Sequence, residues 1–231
     1  MRRSSLKLKR AFLVLPLLFI FNITHAEILV ENNTSAEMLV NKLLGENIQV
    51  SNFQLQGSLV SAGTFTGGLD IVGFDTGIVL SSGNIANVAG PNEVDWISYI
   101  NWLPGDADLN TLIPGYYTYD STVLEFDFIP NSDVISFQYV FSSDEYNEWV
   151  NTPFNDVFGF FLDGVNVAKL PGTDITVSIN NVNGGNPYGS NVSNPQYYVN
   201  NDLGDGGIMD TEMDGLTVVL SVEAAVVPGQ T

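Results

Sequence analysis

Beyond Ala26 the chain keeps two cations, Lys42 and Lys169, against 26 Asp and Glu residues, a formal balance of −24. That imbalance limits the folds open to it more than any single motif does. Ion pairs can neutralise very few of the acids, and with no cysteine in the sequence no disulfide can staple it. The fold must rest on a sizeable apolar core. The surplus acids must face solvent or gather around a bound cation. Such a surface repels nucleic acid and anionic lipid and collects cations, which excludes DNA or RNA as a partner.

The remaining basic residues sit at the start, where Arg2, Arg3, Lys7, Lys9 and Arg10 precede an apolar run from Ala11 to Phe21 and the small-residue stretch Thr24-His25-Ala26. This is the pattern of a secretory signal over residues 1–26, cut after Ala26. The apolar run is broken by Pro16 and falls short of the roughly 20 residues a spanning helix needs. Residues 27–231 then form one domain. The chain stops at Pro228-Gly-Gln-Thr231, in a turn with no closing strand after it, which reads as a C-terminal truncation.

Aromatic, β-branched, Gly and Asn residues dominate this domain, while Lys, Arg and Ala are sparse, a balance that favours strands joined by turns. One helix is expected. Thr34 and Glu37 form a capping-box pair, Ala36, Leu39, Val40, Leu43 and Leu44 give it an apolar face, and Gly45 ends it. It should dock as a lid. Strands are predicted over 48–55, 58–65, 77–81, 122–128, 133–141, 156–162, 165–170, 175–182 and 216–224. Asp163-Gly164 is the clearest hairpin signal among them. Residues 84–114 read as a long surface excursion with a helical turn near 108–112, and 183–207 as loop. Strand spacing without a βαβ rhythm points to an all-β, antiparallel β-sandwich of jelly-roll type with one short N-terminal helix.

Several chemistries lack their parts. The only His lies in the leader and Cys is absent, so Ser-His-Asp and Cys-His catalysis and the usual zinc sites are excluded. No phosphate-binding Gly-rich loop or clamping Arg occurs beyond Ala26. A carboxylate glycosidase needs only two acids about 5–9.5 Å apart, and Glu145 with Glu148, or Asp144 with Glu212, could be drawn as such a pair. No pattern singles out either.

The run from Phe141 to Gly164 concentrates acids, Asn and aromatics between two strand-like stretches and contains no cation. Asp144-Glu145 follow one strand and Asn155-Asp156 open the next, so two loop ends can bring oxygen ligands together on a hard ion such as Ca²⁺, with Asp214 as a further donor. A solvated acidic loop whose Asp and Asn merely make turns accounts for the same residues. The spacing of Asp202, Asp205, Asp210 and Asp214 does not match an EF-hand loop. Among the aromatics, Tyr146, Trp149 and Phe154 are read as interior packing, and Trp96, Trp102, Tyr116 and Tyr117 as exposed recognition groups.

Five stretches, in order, resemble the choice-of-anchor L domain of exported bacterial proteins: Thr76-Gly-Ile-Val-Leu-Ser-Ser-Gly83, Val123-Leu-Glu-Phe-Asp-Phe-Ile-Pro130, Phe137 to Trp149, Asn155 to Gly164, and Glu212-Met-Asp-Gly-Leu-Thr217. Ser143-Asp144-Glu145 stands where that family more often has Ser-Glu-Glu, which keeps the charge and shortens one arm. The resemblance implies a secreted or cell-surface β-rich module, found with alternative C-terminal anchoring segments in different bacteria. Combined with the residue reading, this gives a non-enzymatic, Ca²⁺-stabilised module for adhesion or surface architecture. A Ca²⁺-assisted carbohydrate-binding module and a carboxylate glycosidase are the alternatives. The expected partner is an extracellular or cell-surface polymer or protein, glycan included, and contact with a membrane would be peripheral, through an anchor outside this chain.

Overall fold

The computed structural model describes residues 27–32, 35–44 and 48–231. The leader over 1–26, the Thr34 cap and the Gly45 stop lie outside the described residues. The chain opens with β1 (Leu29–Glu31), α1 (Ala36–Leu44), β2 (Gln49–Gln56), β3 (Ala62–Thr66), α2 (Leu69–Val72) and β4 (Thr76–Leu80). After a 3-10 turn at Ile85–Val88 and α3 (Ala107–Leu112) come β5 (Val123–Ile129), β6 (Val134–Tyr139) and β7 (Ser142–Ser143). The short strands β8 (Val157–Phe158), β9 (Phe161–Leu162), β10 (Val165–Asn166) and β11 (Val177–Ser178) follow. A 3-10 turn at Pro195–Tyr197 then leads into β12 (Tyr198–Asn200), β13 (Gly215–Thr217) and β14 (Leu220–Ala225).

All the strand pairings are antiparallel, as expected for an all-β chain. They divide into β1-β3-β4, β2-β5, β6-β14, β12-β13-β7, β8-β11 and β9-β10. Consecutive β5 and β6 belong to different sheets, so the turn after Ile129 carries the chain from one to another. Helix α1 packs against β2, β4 and β5 with Leu39 and Val40 wholly buried, the lid its apolar face requires. Its observed cap is Ser35, whose hydroxyl accepts from the Met38 amide at 3.2 Å.

The main core lies where β6 and β14 meet the loops after β10 and β11: Tyr139, Ala168, Leu170, Val177, Val182, Leu220 and Val222. Phe137 stacks on Phe160 with ring centroids 4.2 Å apart, and Tyr139 on Phe158 at 4.6 Å. Burial alternates along β6, with Ile135, Phe137 and Tyr139 facing inward as the period-two pattern dictates. At the Asp163-Gly164 hairpin both turn residues have positive φ, 49° and 77°, the geometry a two-residue turn between twisted strands demands.

Several elements differ from the sequence reading: β1 and the short helix α2 are not among those expected, the strand expected over 156–162 is split into β8 and β9, and that over 175–182 shrinks to β11. The continuous strand expected over 216–224 is two strands that serve different sheets, β13 pairing with β12 and β7, and β14 with β6. The stretch 183–207, read as loop, contains β12, because Tyr198, Val199 and Asn200 find partners in Thr217, Leu216 and Gly215. Tertiary pairing overrides the weak strand propensity of an Asn-rich segment there.

Candidate metal centre

The pairing of β7 with β13 sets the site. Ser142 lies opposite Leu216 and Ser143 opposite Gly215, so the next step in register places Asp144 against Asp214. Residues facing one another across antiparallel strands have Cβ atoms about 4.5–5.5 Å apart, and like charges so placed repel. On its other side β13 pairs with β12, and the Asn201 amide donates to the Asp214 carbonyl at 2.8 Å. Asp214 is completely buried, Asp144 half-buried, and Glu212 and Asp202 are also buried.

A third segment closes over the pair. The side-chain amide of Asn92 donates to Asp214 Oδ1 at 2.7 Å and to the Asn201 carbonyl at 2.9 Å. The Glu93 amide donates to Glu212 Oε2 at 2.9 Å, and the Ile97 backbone lies close enough to the Asp144 carboxylate to favour its ionised form. Thr211 Oγ1 donates to the Val88 carbonyl at 2.6 Å, and Ala89 bridges to Thr211. Acids thus share with Thr211 and Asn201 the attachment of residues 88–93 to the strand layer.

Three buried oxygens at this junction have no hydrogen-bond partner among the described residues: Asn92 Oδ1, Asp144 Oδ1 and Asp214 Oδ2. The other buried orphans, Tyr139 Oη and Ser178 Oγ, belong to β6 and β11. A buried acceptor without a donor costs about 1–3 kcal/mol, so the three mark an unmet demand that a proton, a water or a cation can fill. The only ion pair among the described residues, Lys169 with Asp174 at 2.8 Å, involves neither carboxylate.

The protonation energetics agree with the geometry. Burial, then the neighbouring Asp214 charge, pushes the Asp144 carboxyl up to about 8. Burial raises Asp214 to about 7 against the pull of the Asn92 amide, and Asp202, Glu148 and Asp95 add to the rise. Asp214 is out of contact with solvent yet lies close beneath the surface, so nearby water still tempers its charge.

The five sequence-predicted ligands separate into smaller groups. Asp144 and Asp214 come together. Glu145 and Asp156 face each other instead: burial raises both, and the Asp156 charge raises Glu145 further. Asp156 is exposed as a whole residue, and its Oδ2 accepts from Ser143 Oγ at 2.8 Å. Asn155 Oδ1 accepts from the Asn180 amide at 2.9 Å, the role of a turn-forming Asn. Among the described residues no group of three or more His, Cys, Asp or Glu is placed to hold a metal. The converging donors are mixed, two carboxylates and the amide oxygen of Asn92. Sequence reading missed Asn92, which sits in an unpatterned Pro-Asn-Glu stretch far from the other two.

Nearby, Asp202 accepts from the Asn147 amide at 3.2 Å and the Asp205 amide at 2.8 Å. Glu148 is raised by burial first, and the neighbouring Asp202 carboxylate raises it further. Tyr146 is fully buried, as expected, with its hydroxyl donating to the Val182 carbonyl at 2.7 Å. Trp149 and Phe154 are not interior: they are 42 % and 56 % exposed and pack edge to face on each other at the surface. Trp96, Trp102 and Tyr117 are 76 %, 86 % and 76 % exposed, and Tyr116 is also exposed, in line with the sequence reading.

Antiparallel strands throughout, a surplus of acids and a junction of unsatisfied oxygens define an acidic, all-β module. The family model of the choice-of-anchor L domain matches residues 27–231, and the chain belongs to that family. It is thus an exported surface-protein module of bacterial type. No curated protein and no solved structure matches it. No helix among the described residues is long and apolar enough to cross a membrane.

Proposed function

We propose that the chain is a non-enzymatic contact module of the bacterial exterior, serving adhesion or surface architecture, and that Ca²⁺ stabilises it. The observation that carries this reading is the pair of buried carboxylates, Asp144 and Asp214, each with an oxygen that no donor meets. Ca²⁺ takes hard oxygen ligands from Asp and Asn side chains and tolerates irregular geometry, which suits this donor set. Its binding to the folded state alone raises stability by mass action. The test is thermal melting in EDTA and in millimolar Ca²⁺: a higher Tm with Ca²⁺ is expected, and an unchanged Tm overturns the reading.

A second reading, a Ca²⁺-assisted carbohydrate-binding module, draws support from the exposed aromatics. Tyr116 and Tyr117 line a shallow concavity of about 290 Å³ with Ala107, Asn110, Thr111 and Gly115. Flat rings beside small and amide-bearing residues are suited to stacking on a sugar. A glycan array decides it: binding abolished by Tyr117→Ala favours this reading, and an array without hits sinks it.

A further inference from the structure

The acidic junction is where the excursion bearing Trp96 and Trp102 meets the strand layer, and carboxylates that repel one another are among its links there. Asn92 donates to Asp214, the Glu93 amide donates to Glu212, and the Ile97 backbone lies beside the Asp144 carboxylate. Four and ten residues beyond Asn92 stand Trp96 and Trp102, both mostly in solvent. We infer that one Ca²⁺ ion is held between Asn92 Oδ1, Asp144 Oδ1 and Asp214 Oδ2, clasping the excursion to β7 and β13 and thereby governing how its aromatic surface is presented.

This rests on the Ca²⁺ reading above and goes further, naming the donors and what the ion controls. The three oxygens are the buried acceptors of the junction that lack a donor, and they come from three separate segments. Asp214, buried completely, carries one of them. Two of the three side chains already spend their other polar atom on positioning, because Asn92 Nδ2 donates to Asp214 Oδ1. Two carboxylates and one amide oxygen leave the remaining Ca²⁺ positions to backbone oxygens or water, an ordinary division for this ion. Removing it returns two facing carboxylates and an amide oxygen to mutual repulsion.

The experiment compares chymotrypsin cleavage and calorimetric Ca²⁺ binding for the folded wild-type domain, Asp144→Asn and Asn92→Ala. Chymotrypsin suits the site because Trp96, Tyr99 and Trp102 are exposed. Expected is cleavage between 96 and 102 at least ten times slower in Ca²⁺ than in EDTA for wild type, with protection lost and affinity at least tenfold weaker in both variants. Asp144→Asn preserves shape, so it remains informative if Asn92→Ala folds poorly. Tight wild-type Ca²⁺ binding with unchanged cleavage, or with full affinity in Asp144→Asn, overturns this inference and leaves the Ca²⁺ reading standing. No Ca²⁺ binding by wild type removes both.

Discussion

Asp214→Asn should have opposite effects on stability with and without metal. In the metal-free fold the Asp214 carboxyl is pushed from 3.8 to about 7, chiefly by burial. At about 1.4 kcal/mol per tenfold change in proton affinity, that corresponds to a ceiling of roughly 4 kcal/mol of strain on the ionised form at pH 8.5. Water close above the site and mobile ions screen this to about 1–2 kcal/mol. An amide of the same shape removes the charge and can donate to the facing acids. In EDTA at pH 8.5 the variant should therefore melt higher than wild type, by about 3–6 °C for a domain of this size. With Ca²⁺ at about 100 times its Kd, wild type gains about 2.7 kcal/mol. The variant, lacking one donor and one charge, gains little, so the ranking reverses. Differential scanning calorimetry in matched buffers reads both arms. A variant that melts lower by the same amount in EDTA and in Ca²⁺ would show Asp214 to be a plain structural acid and refute the reasoning.

The pH profile gives a related test: Asp144 and Asp214 hold their protons more tightly folded than unfolded, at about 8 and about 7. Their contribution to the metal-free fold is full below about pH 4 and lost as the pH rises through 7 to 8, so Tm in EDTA should fall between pH 5 and 8.5 and be flatter in Ca²⁺. A Tm in EDTA that climbs over that range contradicts the burial of these acids. Gly215→Ala should cost about 2–3 kcal/mol by urea unfolding, since an added Cβ would lie 2.5 Å from Cγ of the fully buried Tyr146 ring. Tyr146→Phe should cost about 1–2 kcal/mol in the same assay, because it leaves the Val182 carbonyl without its donor. A loss under 0.5 kcal/mol, roughly the level of an ordinary surface change, would mean water replaces the hydroxyl.

Much of this fold is written locally, and most of the site is not. The Asp163-Gly164 turn, the alternation of Ile135, Phe137 and Tyr139, and the apolar stripe of α1 each act over a few residues, so their patterns survive into the structure. The break between β13 and β14 has no such mark, because Leu216 to Ala224 is uniformly strand-like and only its partners divide it. That break matters for the site. The register of β13 with β7 puts Asp144 opposite Asp214, a relation between residues 70 apart in sequence. Asp144 and Asp214 were legible as acids with no cation near them. For Asn155 the sequence leaves turn former and ion ligand open, since an amide that bonds the Asn180 backbone looks in sequence like one that could bind an ion.

The hydrogen bond between Asn92 and Asp214 spans 122 positions of the chain. A centre built across such a distance does not exist in an unfolded polypeptide, where those side chains are far apart. A chain still unfolded during export would therefore carry no ion at the proposed centre. On the Ca²⁺ reading proposed above, capture would wait until β13 has paired, and the ion would act as a latch set after folding.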